Sequence, residues 1–208
     1  MNPPLPVAVL GATGRIPIDR LLLSVTGIPA VDYGLRWLTL LSANYLHGSL
    51  LHIIFNMLVL RQIGSLTARE FGPYRMFTIY TLSGVFGFGI SYLAGVSLTI
   101  GASAAVCGLI GAMVYFGRHR GGAYGNFIYR QIGGWAIGLL IIGFLPGINN
   151  WGHGGGIAAG IGLGFLLGYQ ETRKENVFHK LLAGGCAVLI LIILGWAVLS
   201  GIYFRFFV

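Results

Sequence analysis

The 208-residue sequence contains very little charge: 9% of its residues are charged, and only five are acidic. Soluble domains usually carry about 25% charged residues, so this chain cannot cover a water-facing surface, which excludes an ordinary soluble globule and a disordered chain. Two cysteines in 208 residues exclude a disulfide scaffold. What the chain has instead is 56% hydrophobic residues and 35 glycines. This balance indicates an integral membrane protein.

Apolar segments recur along most of the chain. Because lipid offers no hydrogen-bond partner to the backbone, segments that cross it must be helices or closed barrels, and these read as helices. We therefore predict an all-α, multi-pass membrane protein with about six transmembrane helices, at residues 49–64, 74–95, 101–117, 127–145, 152–169 and 181–204. The first, third and fifth are short for a bilayer that needs roughly 20 apolar residues.

Basic residues cluster in three short stretches rather than on one face. Nine of the thirteen Lys and Arg residues lie in stretches around the ends of the first, third and fifth segments: Arg61, Arg69, Arg75, Arg118, Arg120, Arg130, Arg173, Lys174 and Lys180. Basic loops stay on the cytoplasmic side, so odd-numbered segments enter from outside and both termini lie outside. We therefore expect the protein to be embedded in the lipid bilayer, and we predict no nucleic-acid interface for its basic residues.

Polar residues at the start of the first segment are costly in lipid and therefore informative. His52 and Asn56 are four residues apart, so they share one helix face, and His47 precedes them at the interface. Polar contact between helices is one interpretation of this pattern. No acidic residue lies nearby, so no metal site and no cofactor are predicted.

Ser103 opens the third segment, directly after Gly101-Ala102. A serine at a helix start is often only an N-cap. The alternative is a nucleophile, which needs a base within hydrogen-bond reach. Backbone N–H groups at a helix start also suit an oxyanion.

His153 opens the fifth segment, on the same outer side as Ser103. Glycines follow it every four residues, at Gly156, Gly160, Gly164 and Gly168. Such a stripe lets two helix backbones approach closely. Packing against the third segment would bring His153 towards Ser103, with Cys107 one turn below Ser103 on the same face.

A serine with a histidine partner and extra donors is a nucleophilic hydrolase arrangement. His153 would take the Ser103 proton, and the Ser103 N–H, the Asn56 amide and His52 would hold an oxyanion. All five acidic residues, Asp19, Asp32, Glu70, Glu171 and Glu175, lie outside the outer half of the segments. The arrangement is therefore a dyad.

Three motifs, in this order, resemble those of the rhomboid intramembrane serine proteases: His47/His52/Asn56, Gly101-Ala102-Ser103-Ala104, and Gly152-His153 with Gly156 and Gly160. The resemblance spans residues 33–170. It implies a rhomboid-like helical bundle, a Ser103–His153 dyad, and an oxyanion and substrate site at His52, Asn56 and Gly101, supported by His47, Cys107, Gly156 and Gly160. It also implies cleavage of transmembrane protein substrates near their outer ends.

The sequence departs from that family at its front. Residues 1–32 supply no convincing span, so we expect the family's first helix to be absent or atypical and the sixth segment to be an additional C-terminal helix. The predicted division is an N-terminal segment and interfacial loop (1–46), a catalytic core (47–170), and an inner loop with a C-terminal helix (171–208). We expect a multi-pass protein of the bacterial cytoplasmic membrane, and leave its oligomeric state open.

Two rival functions stay open. An inactive rhomboid-like protein would bind transmembrane segments without cutting them; Ala104 in place of the family's glycine favours it. A small transporter or channel would also place His and Asn inside a membrane, but no inverted repeat is visible.

Overall fold

A computed structural model describes residues 39–96, 99–145 and 147–207. The expectation of a missing first helix concerns residues 1–32, which lie outside this part of the chain. Seven α-helices occur there: α1 (Thr39–Ser42), α2 (Leu50–Phe71), α3 (Pro73–Leu93), α4 (Ser103–Arg120), α5 (Gly122–Ile142), α6 (Asn150–Leu167) and α7 (Val177–Phe207). A short 3₁₀ helix, Ala43–Tyr45, follows α1. The described residues contain no strand, so the predicted all-α class is confirmed.

All six predicted segments form helices, but several helices are longer than the apolar segments. Helix α2 continues through Arg61 and Arg69 to Phe71, where Gly72 ends it with a φ of 95°. Hydropathy marks only the part of a helix that lipid surrounds, whereas the backbone turn decides where the helix ends. The glycine-rich residues 121–125, which resemble a flexible loop in the sequence, are instead a tight turn at Gly121 and the first turn of α5.

Helix α4 is the centre of the bundle and packs against α2, α3, α5 and α6. Twelve of its eighteen residues are buried, among them small residues such as Ala105 and Gly108. Large apolar side chains point outward from the surrounding helices, for example Leu51, Phe55 and Leu166. This exposed apolar belt is what a lipid solvent requires.

Three helices are long and apolar enough by length and composition to cross a membrane: α2, α3 and α7 over Val177–Trp196. The mean hydropathy of α4 is lowered by Arg118, His119 and Arg120 in its last turn, and that of α6 by seven glycines and its polar first turn. The glycines and alanines of both helices serve packing inside the bundle, where protein rather than lipid surrounds the helix.

The turn between α2 and α3 is fastened to the loop before α7. The Gln170 N–H donates to the Glu70 carbonyl (2.8 Å), and the Arg75 N–H donates to the Glu175 carboxylate (2.8 Å). The buried Arg75 guanidinium donates to the Arg173 carbonyl at 2.6 Å. We call this set of contacts the inner clasp; it ties the C-terminal helix, which packs on α3, to the core.

Candidate active site

A cavity of about 450 Å³ lies at the end of the bundle where α2, α4 and α6 begin. Five of the predicted site residues line it together: His52 and Asn56 from α2, Ser103 and Cys107 from α4, and His153 from α6. Phe55, Val59 and Leu139 supply apolar walls. The structure thus brings residues from three helices to one cavity, at the end of the bundle opposite the basic ends of α2 and α4.

Ser103 is the first residue of α4, and the N-cap position is Ala102. No side-chain hydrogen bond caps this helix, so the Ser103 hydroxyl is not a capping group. Its side chain is half-buried and faces the cavity. The backbone before it turns at Gly101, whose φ of 118° disfavours any other residue.

Gly101 also makes room for His52. A Cβ placed on Gly101 would lie 2.5 Å from Cε1 and 2.6 Å from Nε2 of the His52 ring. We call residues 99–102, which lead into Ser103, the serine loop. This loop and the His52 imidazole are in direct contact at Gly101, and only a glycine leaves room for that contact. This places the predicted oxyanion residues next to the start of α4.

His153 is buried, with 7% of its surface exposed. Its Nδ1 is buried and has no hydrogen-bond partner among the described residues. The described acidic residues Glu70, Glu171 and Glu175 lie at the opposite end of the bundle, so none orients this ring. Within the described chain, no hydrogen bond joins His153 to Ser103, although both line the same cavity.

Helices α4 and α6 touch along a glycine seam, as the four-residue spacing predicts. A Cβ on Gly156 would lie 2.2 Å from the Ala104 carbonyl oxygen, and one on Gly160 would lie 1.8 Å from the Gly108 carbonyl oxygen. The buried Cys107 contacts the same seam, its Cβ lying 3.3 Å from the Gly156 position. This backbone-to-backbone contact is why residues on two helices can share one cavity.

His47 fastens the serine loop to the segment before α2. Its Nε2 accepts a hydrogen bond from the Ala102 N–H (3.4 Å), and its ring meets that of His52 edge-on, with centroids 5.0 Å apart. Burial lowers the pKa of His47, and the neighbouring His52 lowers it further. A neutral imidazole is what this acceptor role requires.

Asn56 is buried and donates to the His52 carbonyl at 2.9 Å, which uses one of its two amide hydrogens. The second hydrogen remains for a group in the cavity. Among the described residues, no cluster of three His, Cys, Asp or Glu side chains could hold a metal ion.

Asn149 is a residue that the sequence analysis missed. Its Oδ1 accepts from the Gly152 N–H (3.1 Å), and its Nδ2 donates to Ser91 Oγ (2.7 Å) and Thr99 Oγ1 (2.9 Å). An asparagine three residues before a helical glycine is a recognisable capping signal. Its two other partners come from distant segments and leave no signal in the sequence.

The family model and the relatives that match this chain all indicate the same protein family. The Rhomboid domain model matches residues 34–170. RHOMBOID-like protein 4 of Arabidopsis thaliana is 37% identical over 154 residues, covering 70% of this chain and 37% of that protein. RHOMBOID-like protein 5 of the same plant is 35% identical over 178 residues, covering 76% and 56% respectively.

A bacterial relative carries a protease name. Rhomboid protease GluP of Bacillus subtilis is 32% identical over 152 residues, covering 70% of this chain and 28% of that protein. The chain thus matches 28% to 56% of the lengths of these three relatives. Most relatives are plant proteins and one is named mitochondrial, so the expected bacterial cytoplasmic membrane finds no support.

The family match covers the cavity and the helices that build it. Its extent, the helical bundle and the apolar belt agree in describing an integral membrane protein, with a cavity at one end that both polar and apolar side chains line. The chain therefore belongs to the rhomboid family.

Proposed function

We propose that this chain is an intramembrane serine endopeptidase, with Ser103 as nucleophile and His153 as general base. The observation that carries the proposal is that the Ser103 hydroxyl, which does not cap α4, lines the same cavity as His153. A hydroxyl with no structural task, next to an imidazole with no carboxylate partner, fits a dyad rather than a triad.

In the proposed reaction, Ser103 Oγ attacks a peptide carbonyl carbon while His153 Nε2 takes the hydroxyl proton. The C–N bond then breaks, and His153 returns the proton to the leaving amine. Water, activated by the same imidazole, hydrolyses the acyl-enzyme ester and frees Ser103. The Ser103–His153 hydrogen bond would form when substrate enters, since such bonds are often long in free enzymes.

The oxyanion would lie at the start of α4. The Ser103 N–H there has no partner within the helix, because the first four N–H groups of any α-helix lack one. Asn56 and His52 line the same hollow and add side-chain donors. Each such donor typically contributes about 100- to 1,000-fold to the rate.

The proposed substrates are transmembrane segments of other proteins, cut near their outer ends. The cavity lies where α2, α4 and α6 begin, and Phe55, Val59 and Leu139 give it apolar walls that suit a membrane segment. A helical segment hides its carbonyls in its own hydrogen bonds, so the substrate must unwind before attack.

The test uses purified protein in detergent and a fluorophosphonate, which traps an activated serine. We expect a covalent adduct on Ser103 by mass spectrometry, lost in Ser103→Ala and His153→Ala. Ser65→Ala is the matched control, because Ser65 is exposed at the other end of α2 and donates only to the Arg61 carbonyl. The unlabelled wild-type protein should also cleave a single-span reporter in liposomes, and fluorophosphonate treatment should block that cleavage.

The non-cleaving alternative makes the opposite prediction. A folded wild-type protein that binds the single-span reporter, takes no label on Ser103 and cuts nothing would establish a binding protein. Ala104 beside the serine is the feature of this chain that favours that alternative.

A further inference from the structure

The Asn149 side chain joins three separate elements through one amide group. Its oxygen caps α6, and its nitrogen donates to Ser91 on α3 and to Thr99 in the α3–α4 loop. Both acceptors are buried, Ser91 fully and Thr99 with 8% of its surface exposed. Loss of the Thr99 bond would leave one hydrogen of the Asn149 amide without its partner, whereas Ser91 Oγ would still donate to the Gly87 carbonyl (2.9 Å).

The position of Asn149 in the chain makes this junction relevant to the dyad. Asn149 lies one helical turn before His153, and Thr99 lies four residues before Ser103. The Asn149–Thr99 hydrogen bond is therefore a direct tie between the backbone that carries the base and the backbone that carries the nucleophile.

The serine loop is held at two further points on its other side. The Gly101 N–H donates to the Ala43 carbonyl (2.9 Å), and the Ala102 N–H donates to His47 (3.4 Å). These bonds fix the loop to the segment before α2 but not to α6. Among the described hydrogen bonds of this loop, only the one to Thr99 comes from the α6 side.

Capping alone does not explain the residue at 149. A serine or an aspartate caps a helix as well as an asparagine does. Accepting one hydrogen bond while donating two requires an amide, with its carbonyl oxygen and two N–H hydrogens. The choice of asparagine thus fits the ties to Ser91 and Thr99 rather than the cap.

We propose that Asn149 is a positioning residue that sets the separation of Ser103 and His153 through its bond to Thr99. This inference rests on the proposed protease function, because it assigns a task to a residue that touches neither reacting atom. The bond to Ser91 anchors the same amide to α3 and leaves the loop free. The two bonds can therefore be separated by mutation.

The experiment compares Thr99→Val with Ser91→Ala. Each variant removes one acceptor of the same amide, and each nearly keeps the shape of the side chain. We would measure the rate constant and the affinity of fluorophosphonate labelling at Ser103, the melting temperature, and hydrogen exchange of the peptide covering residues 99–106.

In Thr99→Val we expect the labelling rate constant to fall about 10- to 100-fold, since misplacement by about 1 Å costs on that order. The affinity for the probe should stay at the wild-type value, and exchange of the 99–106 peptide should rise. We expect Thr99→Val and Ser91→Ala to lower the melting temperature by similar amounts. Ser91→Ala should nevertheless keep the labelling rate constant near the wild-type value. Thr99→Ser restores the acceptor and should restore the rate.

Equal labelling and equal exchange in Thr99→Val and Ser91→Ala would overturn the positioning role, as would a rate that simply follows the melting temperature. A wild type that takes no label defeats the proposed protease function instead. In that case the exchange of the 99–106 peptide still decides whether Thr99 holds the loop, because it requires no catalysis.

Discussion

The glycine seam gives a sharp prediction for Gly160→Ala. The added Cβ would lie 1.8 Å from the Gly108 carbonyl oxygen, whereas ordinary contact begins at 3.4 Å. The obstacle is backbone on a central helix, so α4 and α6 must separate by about 1.6 Å at that level. Gly160 lies two turns from His153 on the same helix, so this separation also displaces the imidazole from Ser103.

Two consequences follow for Gly160→Ala. Overpacking costs about 1–3 kcal/mol of stability. Displacement of His153, the proposed base, should lower the fluorophosphonate labelling rate by about 100-fold. Thermal unfolding in detergent and the labelling time course measure these separately.

Gly162→Ala is the matched control, since it lies on the same helix and nothing is within 4 Å of its Cβ position. Alanine has the higher helix propensity by about 1 kcal/mol, so this control should be as stable as wild type or more so. If Gly160→Ala matched Gly162→Ala in both stability and labelling, the view that the seam sets the dyad geometry would be wrong.

Three further predictions concern the surroundings of the site. Gly101→Ala should abolish labelling, because the methyl group meets the His52 ring and the backbone has a positive φ; full labelling of a folded variant would refute this. Burial depresses the pKa of His47, so the stability it contributes is present above its ordinary value of 6.5 and lost as the pH falls through the lowered pKa. Melting temperatures from pH 8 to pH 5 should show this loss, and His47→Gln, which keeps an acceptor that does not titrate, should flatten the curve. Glu175→Ala removes the acceptor of the Arg75 N–H at the start of α3 and should cost about 0.5–2 kcal/mol of stability without changing the labelling rate.

Much of the bundle and of the candidate site could be predicted from local spacing. The pair His52 and Asn56 lies one turn apart, and the glycines after His153 recur every four residues, so helical periodicity alone assigns each to a face. The order of the three motifs then indicates which helices must meet. Hydropathy predicts where the helices lie along the chain but not the residues at which they end. Helix α2, for example, extends past its apolar segment and ends at Gly72.

Contacts that depend on the path of a loop could not be predicted. Asn149 meets Thr99 only because the α3–α4 loop returns across the start of α6, and no periodicity encodes that return. The same holds for Gly84, whose Cβ position coincides with the Asn44 side chain, although 40 residues separate the two in sequence. Such long-range polar contacts are set by tertiary packing, which a single sequence does not display.

The two ends of the bundle differ in a way that bears on the membrane as a barrier to ions. A water-filled cavity that continued through the bundle to the other side would let ions and protons leak across the bilayer. The basic end is filled instead by Phe71, Phe116 and Tyr169, whose ring centroids lie 5.0 to 6.2 Å apart. Because an apolar plug of this kind would stop the cavity from continuing to the basic end, the proposed hydrolysis would leave ion and proton gradients across the membrane intact.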